Sequence, residues 1–579
     1  MSADAAERAN ADGEDQMSTE GAGSRVSADG AGSRASAEGA GGRASAYGAG
    51  GRASLVGLLP GRADLASMRR NPRADLLAGL TVAVVALPLA LGFGVASGLG
   101  AAAGLVTAIV AGALAAVLGG SNLQVSGPTG AMTVVLVPIV AQYGPGGVLT
   151  VGLLAGLILV GLAIARAGRY ARFVPAPVVE GFTAGIAIVI FLQQVPAALG
   201  VPTHGEQVLP VAVRAVVAFA AHPHWPSVLF SVGVAAVLLV VLRWRPQLPA
   251  ALLAVGAATL CAQVWNVDVA RIGALPATLP QPSLAFLRLD AVGALLTSAV
   301  AVAALAALES LLSATVADGM RRGERHHPDR ELFGQGIANI VTPLFGGVPA
   351  TAAIARTAVN VRAGAVSRLA ALSHALVLAV IMLAAAPLVA GVPIAALAGV
   401  LLATAVRMVH LGTLRALARA SRSDALVLVL TAGATVLLDL VAAVLLGLIV
   451  AGGLALRKIA GSMRVDQVPH GEHLPHFAVY RPTGPLFFAA AHHLRQALSH
   501  IDGVDVVLLR LSRVTAIDAS GALALREAVE DLHDRNITVH VSGIRPEHRR
   551  ALAALGVLAL LRERVHHDAP TAIAAVKSG

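Results

Sequence analysis

Between Asp75 and Ile459 the chain is a succession of apolar runs of about twenty residues, the length that crosses the hydrocarbon core of a bilayer. "AAAGLVTAIVAGALAAVLGG" from Ala101, "VGLLAGLILVGLAIA" from Val151 and "SVLFSVGVAAVLLVVL" from Ser227 contain no charged residue. Such runs lack the polar stripe of a helix that meets water, so the pattern predicts about fourteen transmembrane segments rather than the buried helices of a soluble enzyme. After Ile459 the period changes. "HFAVYRPTG", "VDVVLLRLS" and "ITVHVSGI" read as strands, and "FAAAHHLRQALSH", "ASGALALREAVEDLHDR" and "PEHRRALAALGVLALL" as amphipathic helices. Their alternation predicts a small α/β domain over 465–579. Ahead of the first apolar run, "STEGAGSRV", "SADGAGSRA", "SAEGAGGRA" and "SAYGAGGRA" repeat between Ser18 and Ala53 without a hydrophobic position to stack. Residues 1–65 are therefore expected to be a disordered tail.

Composition sharpens this picture: 56% of the residues are hydrophobic and 13% charged, outside the range of soluble globular domains. The net charge of +10 does not indicate nucleic acid, because the basic residues gather at alternate ends of the apolar runs. Arg69, Arg70 and Arg73 precede the first run. Arg166, Arg169 and Arg172 follow the fourth, Arg243 and Arg245 the sixth, Arg321, Arg322, Arg325 and Arg330 the eighth, and Arg407, Arg415, Arg419 and Arg422 the twelfth. Arg214, Arg271 and Arg288 are exceptions. This positive-inside pattern places both termini in the cytoplasm of a multi-pass protein, expected in the plasma membrane. The single Cys261 excludes a disulfide or cysteine metal site. The pairs His326–His327, His492–His493 and His566–His567 have no metal-ligand framework and read as solvated surface.

Two interruptions of the apolar pattern resemble each other. The third segment starts "VSGPTGAMTVV" from Val125, and the tenth starts "FGGVPATAAIART" from Phe345. Each has glycine, proline, a hydroxyl residue and small residues leading into a helix. Each is third in its half, and seven preceding spans would insert the second half upside down. Proline suits a first helical turn, with Gly127 and Ser126 forming the approach. A helix that starts inside a bilayer needs a polar cavity for its amides, and the half-positive tip favours an anion. Paired breaks of this kind point to a transporter's substrate site. Gly127, Thr129, Gly130 and Ala131 in one break, and Thr351, Ala352, Ala353 and Arg356 in the other, are the candidates, with hydroxyl donors at the threonines and room at the small residues. Arg356 would deepen the positive potential. In the eighth segment, "AALESLLSATVADG" carries Glu309 with Ser313 one turn on, on the same helical face. This acid either carries a coupling proton or sodium ion or pairs with Arg356, and the two roles are compatible.

"LPLALGFGVASG" (from Leu87), "SGPTGAMTVV", "ALESLLSATVADGM" and the stretch from Glu331 to Leu372 resemble the SulP family of anion transporters, and the C-terminal part resembles a STAS domain. The resemblance implies a seven-plus-seven inverted repeat with core and gate domains over 75–460. It also implies an anion between the third and tenth helices, elevator motion and a homodimer. Family substrates include sulfate, bicarbonate and C4-dicarboxylates. Leu89 and Phe93 of the first span would also approach the anion. Leu89 stands where plant and animal relatives often have glutamine, which looks closer to bacterial bicarbonate and dicarboxylate members. Glu309 replaces the aspartate typical of sodium-coupled bicarbonate members, which looks more like proton coupling. In "AIDASG", Ser520 matches a serine that is phosphorylated in soluble STAS relatives, while Asp518 or Ser520 also suits a plain helix cap. A nucleobase symporter, an anion channel and an anion-responsive regulator are the competing readings. No nucleophile–base pair suggests an enzyme, and no cofactor is expected beyond the coupling ion.

Overall fold

The computed structural model describes residues 58–578, apart from 203–204, 206, 246–247, 277, 322–324, 439, 470–475 and 502. The four-copy repeat lies outside the described residues. Helix α1 (Arg62–Ser67) begins three residues before the expected end of the tail. Its Asp64 accepts a hydrogen bond from Arg330 Nη1 at 2.7 Å. Burial opposes ionisation of this carboxyl, but the bonds from Arg330 and the Gly61 amide and the charge of Arg368 hold it below the usual carboxylate range.

The apolar region is built twice. Its first half runs α2 (Pro72–Ala96), α3 (Ala101–Leu118), β1 (Ser126–Gly127), α4 (Gly130–Ile164), α5 (Ala176–Leu199), α6 (Val208–Ala221), α7 (Trp225–Trp244) and α8 (Ala250–Val264). Within α4, Gly144 has φ 70°, which breaks the helix into two segments ahead of Pro145. The second half runs α9 (Val292–Met320), α10 (Pro328–Val341), β2 (Thr351–Ala352), α11 (Ile354–Arg362), α12 (Leu369–Ala384), the one-turn α13 (Ala386–Ala390), α14 (Ile394–Met408), α15 (Leu411–Ala420), α16 (Arg422–Leu437) and α17 (Leu440–Ala460). The order of the two halves matches: two helices, a two-residue strand, two helical segments, then a long helix, a short one and two more. Setting aside α6, α13 and α15 and counting α4 as two, each half has seven helical segments among the described residues, of which α10 and α11 are not apolar throughout. β1 and β2 pair antiparallel, with Ser126 opposite Ala352 and Gly127 opposite Thr351. Equivalent strands that run in opposite directions are what an inverted repeat requires.

Eight helices among the described residues are long and apolar enough to cross a bilayer by length and composition. α7 ends in Trp225 and Trp244, both exposed, and its 20 residues span about 30 Å. Tryptophans at both ends match the two interfaces of a membrane. The helices form two groups. α4 packs on α9 and α10, α2 on α3 and α12, and α3 on α10, while α5 packs on α14 and α16, and α14 on α7. Small residues permit the closest crossings: a Cβ on Gly156 of α4 would stand 2.7 Å from the Gly336 carbonyl oxygen of α10.

The C-terminal domain is a mixed sheet in the order β3 (Arg464–Gln467), β4 (Phe477–Leu486), β5 (Val506–Arg510), β7 (Thr538–Ser542), β8 (Val565–His566), with β6 (Val514–Ile517) paired to β4. β3 is antiparallel to β4; the other pairings are parallel. Helices α18 (Ala491–Ser499), α19 (Ala519–Asp534), α20 (Pro546–Ala554), α21 (Val557–Leu561) and α22 (Ala569–Ser578) complete it. The three expected strands are present, and so are the expected helices, except that Gly556 at φ 78° divides the last of them into α20 and α21. Strands β3, β6 and β8 and helix α22 were not legible, because each is short or lies at an edge. The histidine pairs are not uniformly solvated. His326 bonds Asp318 at 2.7 Å with only 12% of its side chain exposed, and His566 stacks on His540 with 2.9 Å between Nε2 and Nδ1.

Candidate functional site

The two breaks meet. After β1, Pro128 and Thr129 lead into α4, whose first turn is Gly130 to Thr133; after β2, Ala353 leads into α11. The first amides of each helix have no intrahelical partner by geometry. The surrounding strand groups are satisfied by side chains from neighbouring helices. Asn339 of α10 works as a surrogate strand: its Nδ2 donates to the Ala350 carbonyl at 2.9 Å, and the Ala350 amide donates to its Oδ1 at 2.8 Å. Gln335, one turn earlier, donates to Ser126 Oγ at 2.6 Å and to Glu331 Oε1 at 3.0 Å. Glu331 Oε2 in turn accepts from the Gly120 and Ser121 amides beyond α3. From α9, Ser310 Oγ accepts from the Ala352 amide at 3.2 Å, and the Ser310 carbonyl accepts from Gln124 Nε2 at 2.9 Å. Irregular backbone in a membrane is tolerated only when it is bonded in this way.

Opposite charges converge on adjacent residues at the start of α4. Glu309 of α9 accepts a hydrogen bond from Thr129 Oγ1 at 3.0 Å. Arg356 of α11 donates from Nη2 to the Pro128 carbonyl at 2.9 Å and is only 2% exposed. Gly127 makes this reach possible. Its φ is 154°, and a Cβ there would stand 2.5 Å from Arg356 Nη1. The carboxylate and the guanidinium feel each other's charge, but they form no ion pair within 4.0 Å among the described residues.

Several expected roles change. Thr129 does not offer a spare donor: its hydroxyl is committed to Glu309 while its oxygen caps the Met132 amide. Thr351 is fully buried, and its hydroxyl donates to the Ala306 carbonyl at 3.2 Å and meets Ser310 Oγ at 2.9 Å, so it fastens β2 to α9. Ser313 lies a turn from Glu309 but donates to Thr357 Oγ1 of α11 at 3.0 Å, which itself accepts from the Val125 amide. A buried hydroxyl in apolar surroundings takes the nearest acceptor, and here that acceptor belongs to the scaffold. The room expected at Gly130 is filled by Ile190 of α5, with Phe93 of α2 beside it. Ala131 and Ala352 are buried, and Ala353 is half-buried at the start of α11. Leu89 is partly buried against an apolar cluster that includes residues of α3, α8, α12 and α14. The site also contains residues that the sequence reading passed over: Ser310, Gln335, Asn339 and Ile190. Gln335 and Asn339, four apart on one face of α10, were the readable signal.

In the C-terminal domain Asp518 is the cap of α19: its Oδ1 accepts from the Gly521 amide at 2.7 Å and its Oδ2 from the Phe488 amide at 3.2 Å. Ser520, in the first turn, is exposed. Among the described residues no group of three or more His, Cys, Asp or Glu side chains is arranged to hold a metal ion.

Two inverted halves whose broken helices meet tip to tip, with a cation and an acid held at the crossing, define a multi-pass membrane carrier. Residues 73–431 match the sulfate permease family and residues 469–569 the STAS domain, and the chain belongs to the sulfate permease family, as an anion transporter with a C-terminal STAS domain. It is 35% identical over 514 residues to "Putative sulfate transporter YvdB" of Bacillus subtilis (strain 168), covering 85% of this chain and 96% of that one. It is 31% identical over 527 residues to "Bicarbonate transporter BicA" of Synechocystis sp. (strain ATCC 27184 / PCC 6803 / Kazusa), covering 86% and 93%. The inward-facing structure of the murine Solute Carrier 26 family member A9 anion transporter superposes with a TM-score of 0.80 at 17% identity over 92% of this chain and 96% of that chain, a likeness of fold.

Proposed function

We propose that the protein is a secondary active transporter of a small anion, bicarbonate or sulfate, held between the tips of α4 and α11 and coupled to a proton or sodium ion through Glu309. The observation that carries this reading is the convergence of Glu309 and Arg356 on Thr129 and Pro128, the two residues that open α4. The helix tip and Arg356 attract an anion. An ionised Glu309, one hydrogen bond from the same tip, repels it. Neutralising Glu309 with a proton, or screening it with sodium, removes the repulsion, so anion and cation bind together and move together. A site with a fixed cation and no such acid would take the anion without coupling.

Names of relatives support both sulfate and bicarbonate as substrates; a C4-dicarboxylate is the next candidate. The two packing groups of helices suit a core that carries the site past a gate in an elevator motion, in a homodimer with both termini cytoplasmic. The deciding experiment is uptake into proteoliposomes of labelled bicarbonate, sulfate and fumarate, each with and without imposed proton and sodium gradients. Uptake of one anion, driven by one gradient, is expected. Gradient-independent, non-saturating flux would make the protein a channel, and no flux with retained anion binding would favour the regulatory reading, in which Ser520 of the STAS domain is the phosphorylated output.

A further inference from the structure

One buried polar side chain next to the crossing has no role in the site as described. His374 lies in α12, which packs on α2 and α3. It is fully buried, and among the described residues neither ring nitrogen has a hydrogen-bond partner. An imaginary Cβ on Gly112 of α3 locates the ring: it would stand 3.3 Å from the Ser126 carbonyl oxygen and 4.0 Å from His374 Nδ1. His374 Nδ1 and the Ser126 carbonyl oxygen of β1 therefore lie around the same point, no more than the sum of those two distances apart. At the other residue of the same two-residue strand, Gly127, the corresponding Cβ would stand 2.5 Å from Arg356 Nη1. That Nη1 is also buried and has no partner among the described residues, although Nη2 is bonded to Pro128. The Arg356 charge reaches His374.

Two buried groups of complementary capacity thus flank one peptide. The guanidinium has N–H bonds to donate, and the imidazole has a lone pair to accept. Leaving either unbonded is costly, and the Ser126–Gly127 peptide between them carries a carbonyl oxygen that would be the third polar partner of a bridging water. We infer that His374 is a positioning residue for the anion site: through one ordered water, shared with the Ser126 carbonyl, its imidazole holds the second arm of Arg356 and so fixes the guanidinium beside the tip of α4. This rests on the reading of the crossing as the anion site. It gives α12 a water-mediated hold on the residue that meets the substrate.

The test is the KM and maximal rate of anion uptake by the full chain in proteoliposomes, with bicarbonate and sulfate as probes. His374→Met fills the space but cannot hold the water; His374→Gln keeps a donor and an acceptor. We expect His374→Met to raise KM about tenfold with the maximal rate within twofold, and His374→Gln to recover KM to within about threefold of the wild type. In an Arg356→Lys background, His374→Met should add nothing further. A wild-type KM in His374→Met, or equal losses in Met and Gln, or additive losses with Arg356→Lys, would overturn the inference. If His374→Met yields no folded protein by size exclusion and thermal melting, His374→Leu replaces it: a KM raised about tenfold that His374→Gln recovers supports positioning, and a wild-type KM in a folded His374→Leu overturns it. Arg356→Ala separates the levels. If it leaves anion affinity intact, the site reading fails and this inference with it; if it abolishes uptake while His374→Met is silent, only the inference fails.

Discussion

The two helix tips at the crossing are equivalent by position and different in chemistry. The α4 tip is closed: Thr129 caps it, Glu309 holds the cap, and Ile190 and Phe93 cover Gly130. The α11 tip has no side-chain cap, and Ile354 in its first turn is 43% exposed. α4 is 35 residues long across its kink, whereas α11 has nine. The strands that precede them are also supported differently. β2 is fastened by Ser310 of α9 and Asn339 of α10, while β1 takes a bond from Gln335. An inverted repeat supplies two similar places for a helix to begin, and the halves have diverged within them. The first supplies the capped tip, and the second supplies the acid and the base that reach across to it. The crossing works only as a composite, so the comparison is best probed by substitutions that affect one tip and spare the other.

The largest effect is expected at Arg356. Its guanidinium is buried with one bond to Pro128, and its removal deletes the buried cation at the crossing and that side-chain bond from α11 to the residues before α4. Arg356→Ala should lower uptake at subsaturating anion by a hundredfold or more, about 3 kcal/mol, with Arg356→Lys intermediate because it keeps the charge but not the fork. Unchanged uptake kinetics in both would show that α11 contributes only its backbone.

Next in size is Gly127→Ala. The new methyl would stand 2.5 Å from Arg356 Nη1, on a backbone with φ 154°, so the guanidinium must move off Pro128. A rise in KM of about tenfold is expected, measured by the same uptake assay. Ala substituted at Gly144, where a Cβ meets nothing within 4 Å, is the control: strain at the positive φ should lower the melting temperature with KM unchanged. If both substitutions raise KM alike, the effect is backbone strain rather than loss of Arg356 placement.

Much of this crossing was legible from the sequence, and the illegible part has a physical pattern. Glycine, proline, a hydroxyl and small residues marked both breaks, because those residues have few other uses inside an apolar run, but each helix begins later than its proline: Pro128 precedes the cap Thr129, and Pro349 stands before β2. The position of Glu309 was equally plain, since an acid there needs a reason. What remained hidden was which partner each hydroxyl takes. Thr129, Thr351 and Ser313 look interchangeable along the chain, yet the first faces Glu309 and the other two face scaffold atoms from distant segments. Such pairings are set by tertiary approach. Ile190 was hidden for the same reason: one isoleucine in an apolar helix carries no sign that it fills the space above a glycine. In the C-terminal domain the long central strands and helices were readable by period, while two- to four-residue edge strands were too short to show one.

Glu309→Gln should change coupling more than affinity. The amide still accepts from Thr129 and presents no charge to the anion, so KM is expected within about threefold of wild type. The response of uptake to an imposed proton or sodium gradient should disappear. Retention of the full gradient response would remove Glu309 as the coupling group, leaving its bond to Thr129 as a structural cap.

The smallest effects distinguish the two threonines. Each is followed by two small residues at a break, so a symmetric site predicts the same consequence for Thr129→Val and Thr351→Val. The geometry predicts opposite ones. Thr351 bonds only scaffold, the Ala306 carbonyl and Ser310; valine there leaves buried partners unsatisfied and should cost about 1–3 kcal/mol of stability, seen as a lower melting temperature with KM within twofold. Thr129 bonds Glu309, so if Glu309 is the coupling group, valine there should move melting less but release the acid from the tip and weaken the gradient response. Because the two side-chain changes are identical, volume and hydrophobicity cancel in the comparison. If both variants lose stability and keep full coupling, the hydroxyl of Thr129 is scaffold too, and coupling must reach the anion from Glu309 by another route.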